Sequence, residues 1–250
     1  VIYICIPALD EARTVGILLW KIRRVMEEFG RDYELLVLDD ASGDDTAEVL
    51  APYTRVLPLT VLRGRKRAGY HAALDRLIRE ANRRSGHPHR DVVVILQADF
   101  TEDPEGIPAL VKIIEGGADV VAGVPRVRGE VPPGWRWTRR GLGWLAPRRL
   151  GAGVGERLSG FRAYRVSALR GALAERERAP LVSRPGWAAN VELLQAVLPH
   201  ARQVAEAEVP VRYDRRQRPT RFRAWDTARE LYALSRSRAR SPGPAASPGS

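Results

Sequence analysis

Cysteine is almost missing from this 250-residue chain: Cys5 stands alone, inside the apolar run "VIYICIP". No intramolecular disulfide can form, which excludes a disulfide-stapled secreted scaffold and suits a cytoplasmic setting. Cys5 is expected as a buried structural thiol. Histidine is scarce too, and His71, His87, His89 and His200 have neither the spacing nor the cysteine partners of a zinc site. No stretch approaches the roughly 18 apolar residues of a membrane-spanning helix, and no signal peptide opens the chain. The chain starts inside an apparent strand at Val1, so a short native leader is expected ahead of it. Lysine occurs only at Lys21, Lys66 and Lys112, so the net charge of +11 is carried by arginine. Guanidinium forks match phosphate oxygens, which points to nucleotides, phosphorylated acceptors, anionic lipid or nucleic acid. Arginine scattered over a solvated surface is the competing explanation, and net charge alone decides nothing.

What is present reads as an α/β protein. "VIYICIP" is a buried strand stopped by Pro7, and Val15, Leu18, Leu19, Ile22, Val25, Met26 and Phe29 keep helical spacing from Asp10 to a stop at Gly30. "YELLVLDD" is a second strand, with a short helix over 44–50 after it. "TRVLPLTVL" reads as a third strand whose Pro58 suggests an edge or bulge. A helix over 68–82, the strand "DVVVILQAD", a helix over 104–115 and the strand "ADVVAGV" follow. Continuous apolar strands alternating with helices predict a mostly parallel, Rossmann-like sheet with helices on both faces. After Val124 the periodicity fades in the Arg-, Trp-, Gly- and Pro-rich stretch over 125–149, a long segment expected over the site. A helix over 187–198, a strand over 201–213 and a helix over 225–234 complete the pattern. The expected organisation is one domain over 1–236, with a nucleotide-binding half (1–124) and an acceptor half (125–236), and a disordered tail over 237–250.

Ligands in such sheets bind beyond the carboxyl ends of the strands, and acidic residues gather there. "PALDE" ends the first strand, "LLVLDDASGDDT" the second and "LQADFTEDP" the fourth. Carboxylates on neighbouring strand ends can accept from the N–H groups of a base and the hydroxyls of a ribose. Asp99 can supply a hard oxygen ligand to Mg²⁺ or Mn²⁺ on a diphosphate. Each cluster also has a bland reading as helix capping or favourable first-turn charge. "LSGFRAYR" places Arg162 and Arg165 beside a glycine turn, and "RRQRPTRF" forms a second basic loop. Arginines on loops over an acidic crevice suggest phosphate neutralisation, with solvated surface charge as the alternative.

In this order "IPALDE", "LLVLDDASGDDT", "RAGYHAAL", "LQADFTEDPE", "LSGFRAYR", "NVELL" and "EVPVRYDRRQRPTRF" resemble a family 2 glycosyltransferase, most closely its polyprenyl-phosphate (dolichol-phosphate) mannosyltransferase branch. The resemblance covers about 2–234. It implies a GT-A fold and transfer of a sugar, with inversion, from a nucleotide donor such as GDP-mannose or UDP-glucose. By position it implies nucleoside contacts at Pro7, Leu9, Glu11, Leu38 and Asp40, with Asp39 shaping the turn. Gln97, Ala98 and Asp99 match the metal-diphosphate segment, with Gln97 and Asp99 as ligands of Mg²⁺ or Mn²⁺. Arg215 and Arg221 match a phosphate-gripping late loop. Three departures stand out. The usual Asp-Ala-Asp is Gln97-Ala98-Asp99, which weakens the metal site; Thr101 replaces a glutamine; and the Gly-Ser-Arg turn is Gly123-Val124-Pro125.

The expected enzyme moves a sugar to an acceptor, a polyprenyl phosphate first, with Asp99, Arg162, Arg215 and Arg221 as its catalytic groups. Arg139, Arg140 and Arg162 are candidates to receive the acceptor phosphate, and Glu102, Asp103 or Glu156 would serve as base for a hydroxyl acceptor. Asp40, at a strand end, is expected to be removable without loss of fold. The expected location is cytoplasmic, with peripheral contact on the inner membrane face through Trp135, Trp137 and Trp144. A small soluble or polysaccharide acceptor, a non-catalytic nucleotide-sugar binder and a nucleotidyltransferase are the alternatives. The last lacks its glycine-rich phosphate loop here, and nucleic acid is not an expected partner, since aromatics interleave with arginine only in "GWRWTRR".

Overall fold

The computed structural model describes residues 1–127, 141, 155–176, 179–211 and 224–237. Among the described residues seven strands form one sheet: β1 (Ile2–Ala8), β2 (Tyr33–Asp39), β3 (Leu59–Arg63), β4 (Val92–Ile95), β5 (Val120–Val127), β6 (Arg162–Arg165) and β7 (Val204–Val211), in the order β3-β2-β1-β4-β6-β5-β7. All neighbours are parallel except β6, which runs antiparallel to both β4 and β5. The mostly parallel sheet expected from the apolar runs is present, and Pro58 leads into β3, an edge strand.

Among the described residues the helices that cover it are α1 (Val15–Phe29), α2 (Thr46–Tyr53), α3 (Tyr70–Arg84), α4 (Ile107–Glu115), α5 (Val166–Ala174), α6 (Ala188–Val197) and α7 (Ala224–Ser237). The period of two along β1 shows why the strands read as unbroken apolar runs. Ile2, Ile4 and Ile6 enter one core with Leu18, Leu19 and Ile22 of α1 and Leu110 and Ile114 of α4. Tyr3 and Cys5 enter the opposite core with Leu74, Leu77 and Ile78 of α3 and Leu193 of α6. Both faces are buried, and each large aliphatic side chain there contributes about 1.5–3 kcal/mol by leaving water. Cys5 is fully buried, and burial pushes its thiol far above the ordinary range.

Two elements escaped the reading of the sequence. β6 occupies the stretch expected as a glycine-turn loop, and α5 follows it directly. Helix starts also shift: α1 begins at Val15 rather than near Asp10, because Asp10 holds a positive φ of 50° that no helix tolerates. Its end falls where expected, with Gly30 at φ 63° donating its N–H to the Met26 carbonyl. The stretch over 128–140, the basic loop carrying Arg215 and Arg221, and the tail over 238–250 lie outside the described residues, as do Trp135, Trp137, Trp144, Arg139 and Arg140.

Candidate functional site

The register places three strand ends side by side. Ala8 pairs with Asp39, Cys5 with Ile95, and the chain leaves β4 through Gln97, Ala98 and Asp99 beside Pro7–Leu9. Asp10, Ala41 and Phe100 are the non-glycine residues with positive φ among the described residues, at 50°, 57° and 61°. One lies at each strand end, next to Glu11, Asp40 and Asp99 in turn. Such backbone costs of order 1–3 kcal/mol per residue and persists where the surroundings enforce it. Here the strain sits on the three turns that aim the carboxylates.

The first two turns are stapled together. Asp10 N–H donates to Ser42 Oγ (2.9 Å), Gly43 N–H to Asp10 Oδ1 (2.9 Å), Glu11 N–H to Thr46 Oγ1 (2.8 Å) and Ala12 N–H to Asp44 Oδ2 (3.1 Å). The bland reading of Asp10 and Glu11 as first-turn helix charge fails, since α1 has no acidic residue in its first turn. Asp39 shapes its own turn by accepting from Ser42 N–H at 2.9 Å. Asp40 accepts from Ala68 N–H (2.8 Å) and Gly69 N–H (2.7 Å), holding the loop that enters α3. Asp40 is 4% exposed, so it is a structural anchor as well as a wall of the site, contrary to the expectation that it could be removed freely.

These turns open on a cavity of about 410 Å³, within the usual size of a small-molecule site. Pro7, Leu9, Glu11, Asp40, Gln97, Ala98, Asp99, Thr101 and Glu102 line it on the strand-end side. Opposite lie Leu158, Ser159 and Gly160, the turn Pro185–Trp187, and Asp226, Thr227 and Glu230 of α7. Thr101 Oγ1 is buried with no hydrogen-bond partner among the described residues, beside Asp99. Glu102 accepts from Gln97 N–H at 2.9 Å and holds that segment in place. Among the described residues no three His, Cys, Asp or Glu side chains gather as a metal cluster. Asp99 with the amide of Gln97 is a sparse oxygen set. It fits Mg²⁺ or Mn²⁺ only where a diphosphate and water supply the remaining ligands, as Mg²⁺ commonly allows.

Two expected contacts are placed elsewhere. Leu38 points away from the cavity into the core with Leu74 and Leu77, since strand side chains alternate faces and its neighbours in the pleat fix its side. Arg162 is 1% exposed on β6 and does not line the cavity. Its terminal nitrogens donate to the carbonyls of Asn190 (2.7 Å), Arg157 (2.5 Å) and Glu156 (3.3 Å), while Nε has no hydrogen-bond partner among the described residues, so it is a buried cation held by backbone rather than a phosphate receiver on the cavity wall. Arg165 is likewise engaged, with Asp119 at 2.9 Å. Among the base candidates, Asp103 pairs with Lys21 at 2.7 Å, and Glu156 accepts from Leu158 and Ser159 N–H, both at 2.8 Å; neither lines the cavity, whereas Glu102 does.

The residues that reading missed are Arg67, Tyr70 and Asn190. Tyr70 lines the cavity and donates to Asn190 Oδ1 at 2.8 Å, while Asn190 Nδ2 donates to the Leu158 carbonyl at 3.1 Å. Gly160 makes room for this pair: a Cβ there would stand 3.0 Å from Tyr70 Oη. Burial pushes the Tyr70 hydroxyl well above the ordinary phenol range, with the Glu102 charge adding to it, so it stays a donor at neutral pH. "RAGYHAAL" and "NVELL" were visible in the sequence, but only the fold joins them.

Residues 3–173 match the family described as Glycosyl transferase family 2. The chain is similar to an undecaprenyl-phosphate 4-deoxy-4-formamido-L-arabinose transferase of Pseudomonas syringae, 30% identical over 72% of this chain and 51% of that protein. It is also similar to a dolichol-phosphate mannosyltransferase of Pyrococcus furiosus, 32% identical over 55% of this chain and 36% of that protein. The chain thus spans about half the length of the first of these curated relatives, and less of the second. Among solved structures, glucosyl-3-phosphoglycerate synthase of Mycobacterium tuberculosis, in complex with Mn²⁺, UDP-glucose and phosphoglyceric acid, superposes with a TM-score of 0.62 at 23% identity. That match covers 97% of this chain and 81% of the other, and it shows the shared GT-A fold. The same synthase has been seen with Mg²⁺ and UDP. The chain belongs to glycosyl transferase family 2.

Proposed function

We propose that this glycosyltransferase moves a sugar, with inversion, from a nucleotide-sugar donor to an acceptor that carries a phosphate, a polyprenyl phosphate first. The observation that supports this most is the convergence of Glu11, Asp40 and Asp99, from three strand ends, on one cavity. Pro7, Leu9, Glu11 and Asp40 hold the nucleoside, and Gln97, Ala98 and Asp99 face the diphosphate. Asp99 and Gln97 would hold Mg²⁺ or Mn²⁺, and such an ion, when bound, neutralises diphosphate oxygens. In the transfer, a lone pair of the acceptor phosphate oxygen forms the new bond to the anomeric carbon. The bond from that carbon to the diphosphate oxygen breaks, and its electron pair leaves on the nucleoside diphosphate. A phosphate acceptor is already anionic and needs no general base. Arg215 and Arg221 meet the charge on the leaving group.

The nucleotide half spans 1–124 and the acceptor half 125–236, with the reaction on the cytoplasmic face. Both polyprenyl relatives are named for lipid-phosphate acceptors, which supports the lipid reading. A small soluble phosphate-bearing acceptor is the second reading, favoured by the 97% coverage of this chain on a structure holding phosphoglyceric acid. No helix among the described residues is long and apolar enough to cross a membrane. The test is incubation with radiolabelled GDP-mannose and UDP-glucose against undecaprenyl phosphate and 3-phosphoglycerate in parallel. Label in the organic phase supports the lipid acceptor, and label on 3-phosphoglycerate supports the second reading. Label in neither product with any donor would remove the proposal.

A further inference from the structure

α7 presents three faces, and two of them are occupied. Leu231 and Leu234 are buried in a small core with Leu158, Ala188 and Val191. Asp226, Thr227 and Glu230 line the cavity. Glu230 also accepts from Arg184 Nη1 at 2.9 Å, which ties the helix to the chain just ahead of the Pro185–Trp187 turn. The third face carries Trp225, Arg229 and Tyr232, at the spacing of four and three that stacks side chains on one side of a helix. With about 3.6 residues per turn, Trp225 and Leu234 fall on opposite sides. Trp225 is 88% exposed, more than any other large hydrophobic side chain among the described residues, and Tyr232 is 54% exposed. The Arg229 side chain is 76% exposed, 3.6 Å from Glu230.

Two rings left in water forgo the stabilisation that burial would bring. Indole and phenol rings with arginine beside them suit the boundary between water and lipid, where an apolar body meets a wet tip. Charge selects the kind of surface. Over 221–240 the sequence holds Arg221, Arg223, Arg229, Arg236, Arg238 and Arg240 against two acids, Asp226 and Glu230. Both acids line the cavity rather than the outer face. A cationic cluster on and beside an amphipathic helix is drawn to anionic headgroups. We infer that the Trp225–Arg229–Tyr232 face of α7 docks on an anionic lipid surface, with its rings among the headgroups and its guanidinium on their phosphates. Because the same helix is a wall of the cavity, docking holds the site within about a helix diameter, roughly 10 Å, of the bilayer. This deepens the lipid-acceptor reading above and rests on it for its purpose, whereas the docking itself requires neither donor nor acceptor.

Co-sedimentation of the whole chain with phosphatidylcholine vesicles, with and without phosphatidylglycerol and free of polyprenyl phosphate, tests the docking. Wild type is expected to pellet with the anionic vesicles, to stay in solution with the neutral ones, and to be released by salt. The double variant Trp225→Ser, Tyr232→Ser alters exposed side chains, so its Tm should match wild type. Its partitioning onto anionic vesicles is expected to fall at least about tenfold, the scale of one large apolar side chain returned to water. Arg229→Gln should reduce partitioning less, and chiefly at low salt. Pelleting of the double variant equal to that of wild type would overturn the inference, because net positive charge alone would then account for adsorption. Wild type that pellets with neither vesicle would also overturn it and leave this face to a protein partner. Nucleoside diphosphate release from GDP-mannose and UDP-glucose, with undecaprenyl phosphate in the same anionic vesicles, reports on the lipid-acceptor reading separately. Docking that depends on Trp225 and Tyr232 without any such release would remove that reading and still uphold the docking.

Discussion

Tyr70 Oη donates to Asn190 Oδ1 at 2.8 Å, tying the start of α3 to the start of α6 across one wall of the cavity. The two residues lie 120 positions apart, and among the described residues no other side-chain hydrogen bond of either one joins these helices. Tyr70→Phe removes the donor and leaves a buried amide oxygen in need of one. Thermal unfolding should show a loss of about 1 kcal/mol, a Tm decrease of about 2–4 °C. An unchanged Tm would mean that water replaces the phenol at no cost.

Arg162 is expected to matter for folding rather than for phosphate. Arg162→Ala strands the carbonyls of Asn190, Arg157 and Glu156, which accept its hydrogen bonds. The cost should be about 3 kcal/mol, a Tm loss on the order of 10 °C in calorimetry. A variant that keeps the wild-type Tm and loses only acceptor affinity would restore the phosphate-receiving role that its place in "LSGFRAYR" suggested.

Much of the architecture was legible because buried parallel strands have no polar face to disguise them. β1, β2 and β4 read directly as apolar runs, and their acidic ends line the candidate cavity. β6 was not legible, because four residues flanked by arginines carry almost no periodicity, and only pairing with both β4 and β5 makes them a strand. The role of Arg162 followed β6 into error: a basic residue beside a glycine reads as a surface loop until its neighbours are known. Leu38 failed for a related reason, since the face a strand residue takes depends on register. Asp39 was legible as a turn residue. The hold of Asp40 on Ala68 and Gly69 was not, because nothing local links residue 40 to residue 68.

Acid should destabilise the protein through a small set of carboxylates held below their ordinary range. Burial pushes Asp119 up, but the Arg202 amide, the Arg165 guanidinium and the Gln203 amide outweigh it and hold the carboxyl low. Glu80 is lowered to about 2, first by its hydrogen bond with Arg83, against a smaller desolvation cost and with help from Arg84. A depressed carboxylate contributes stability above its unfolded pKa, and that contribution disappears as pH falls through the folded value. Stability should therefore hold at neutral pH and decline from about pH 4 toward pH 2. Asp119→Asn should be less stable at pH 7 yet lose less between pH 5 and pH 3, measured as Tm across a pH series. Parallel pH curves for variant and wild type would show that Asp119 is not part of the acid response.

Metal dependence should follow the charge at position 97. An amide gives a divalent ion less than a carboxylate, so Gln97→Asp is expected to lower the Mn²⁺ concentration needed for half-maximal activity by about tenfold. Asp99→Ala should be nearly inactive at every metal concentration. A metal titration of both variants and wild type checks this, and full wild-type activity in excess chelator would remove the metal from the mechanism.

The central claim is that the cavity beyond β1, β2 and β4 takes a nucleotide sugar and gives up its sugar to a phosphate acceptor. The most direct measurement is release of nucleoside diphosphate from GDP-mannose and UDP-glucose, with and without undecaprenyl phosphate or 3-phosphoglycerate, for wild type and Asp99→Asn. Acceptor-dependent release by wild type, reduced at least a hundredfold (about 2.7 kcal/mol of transition-state stabilisation) in Asp99→Asn with an unchanged Tm, is the expected result. Release that is the same in Asp99→Asn as in wild type would contradict it.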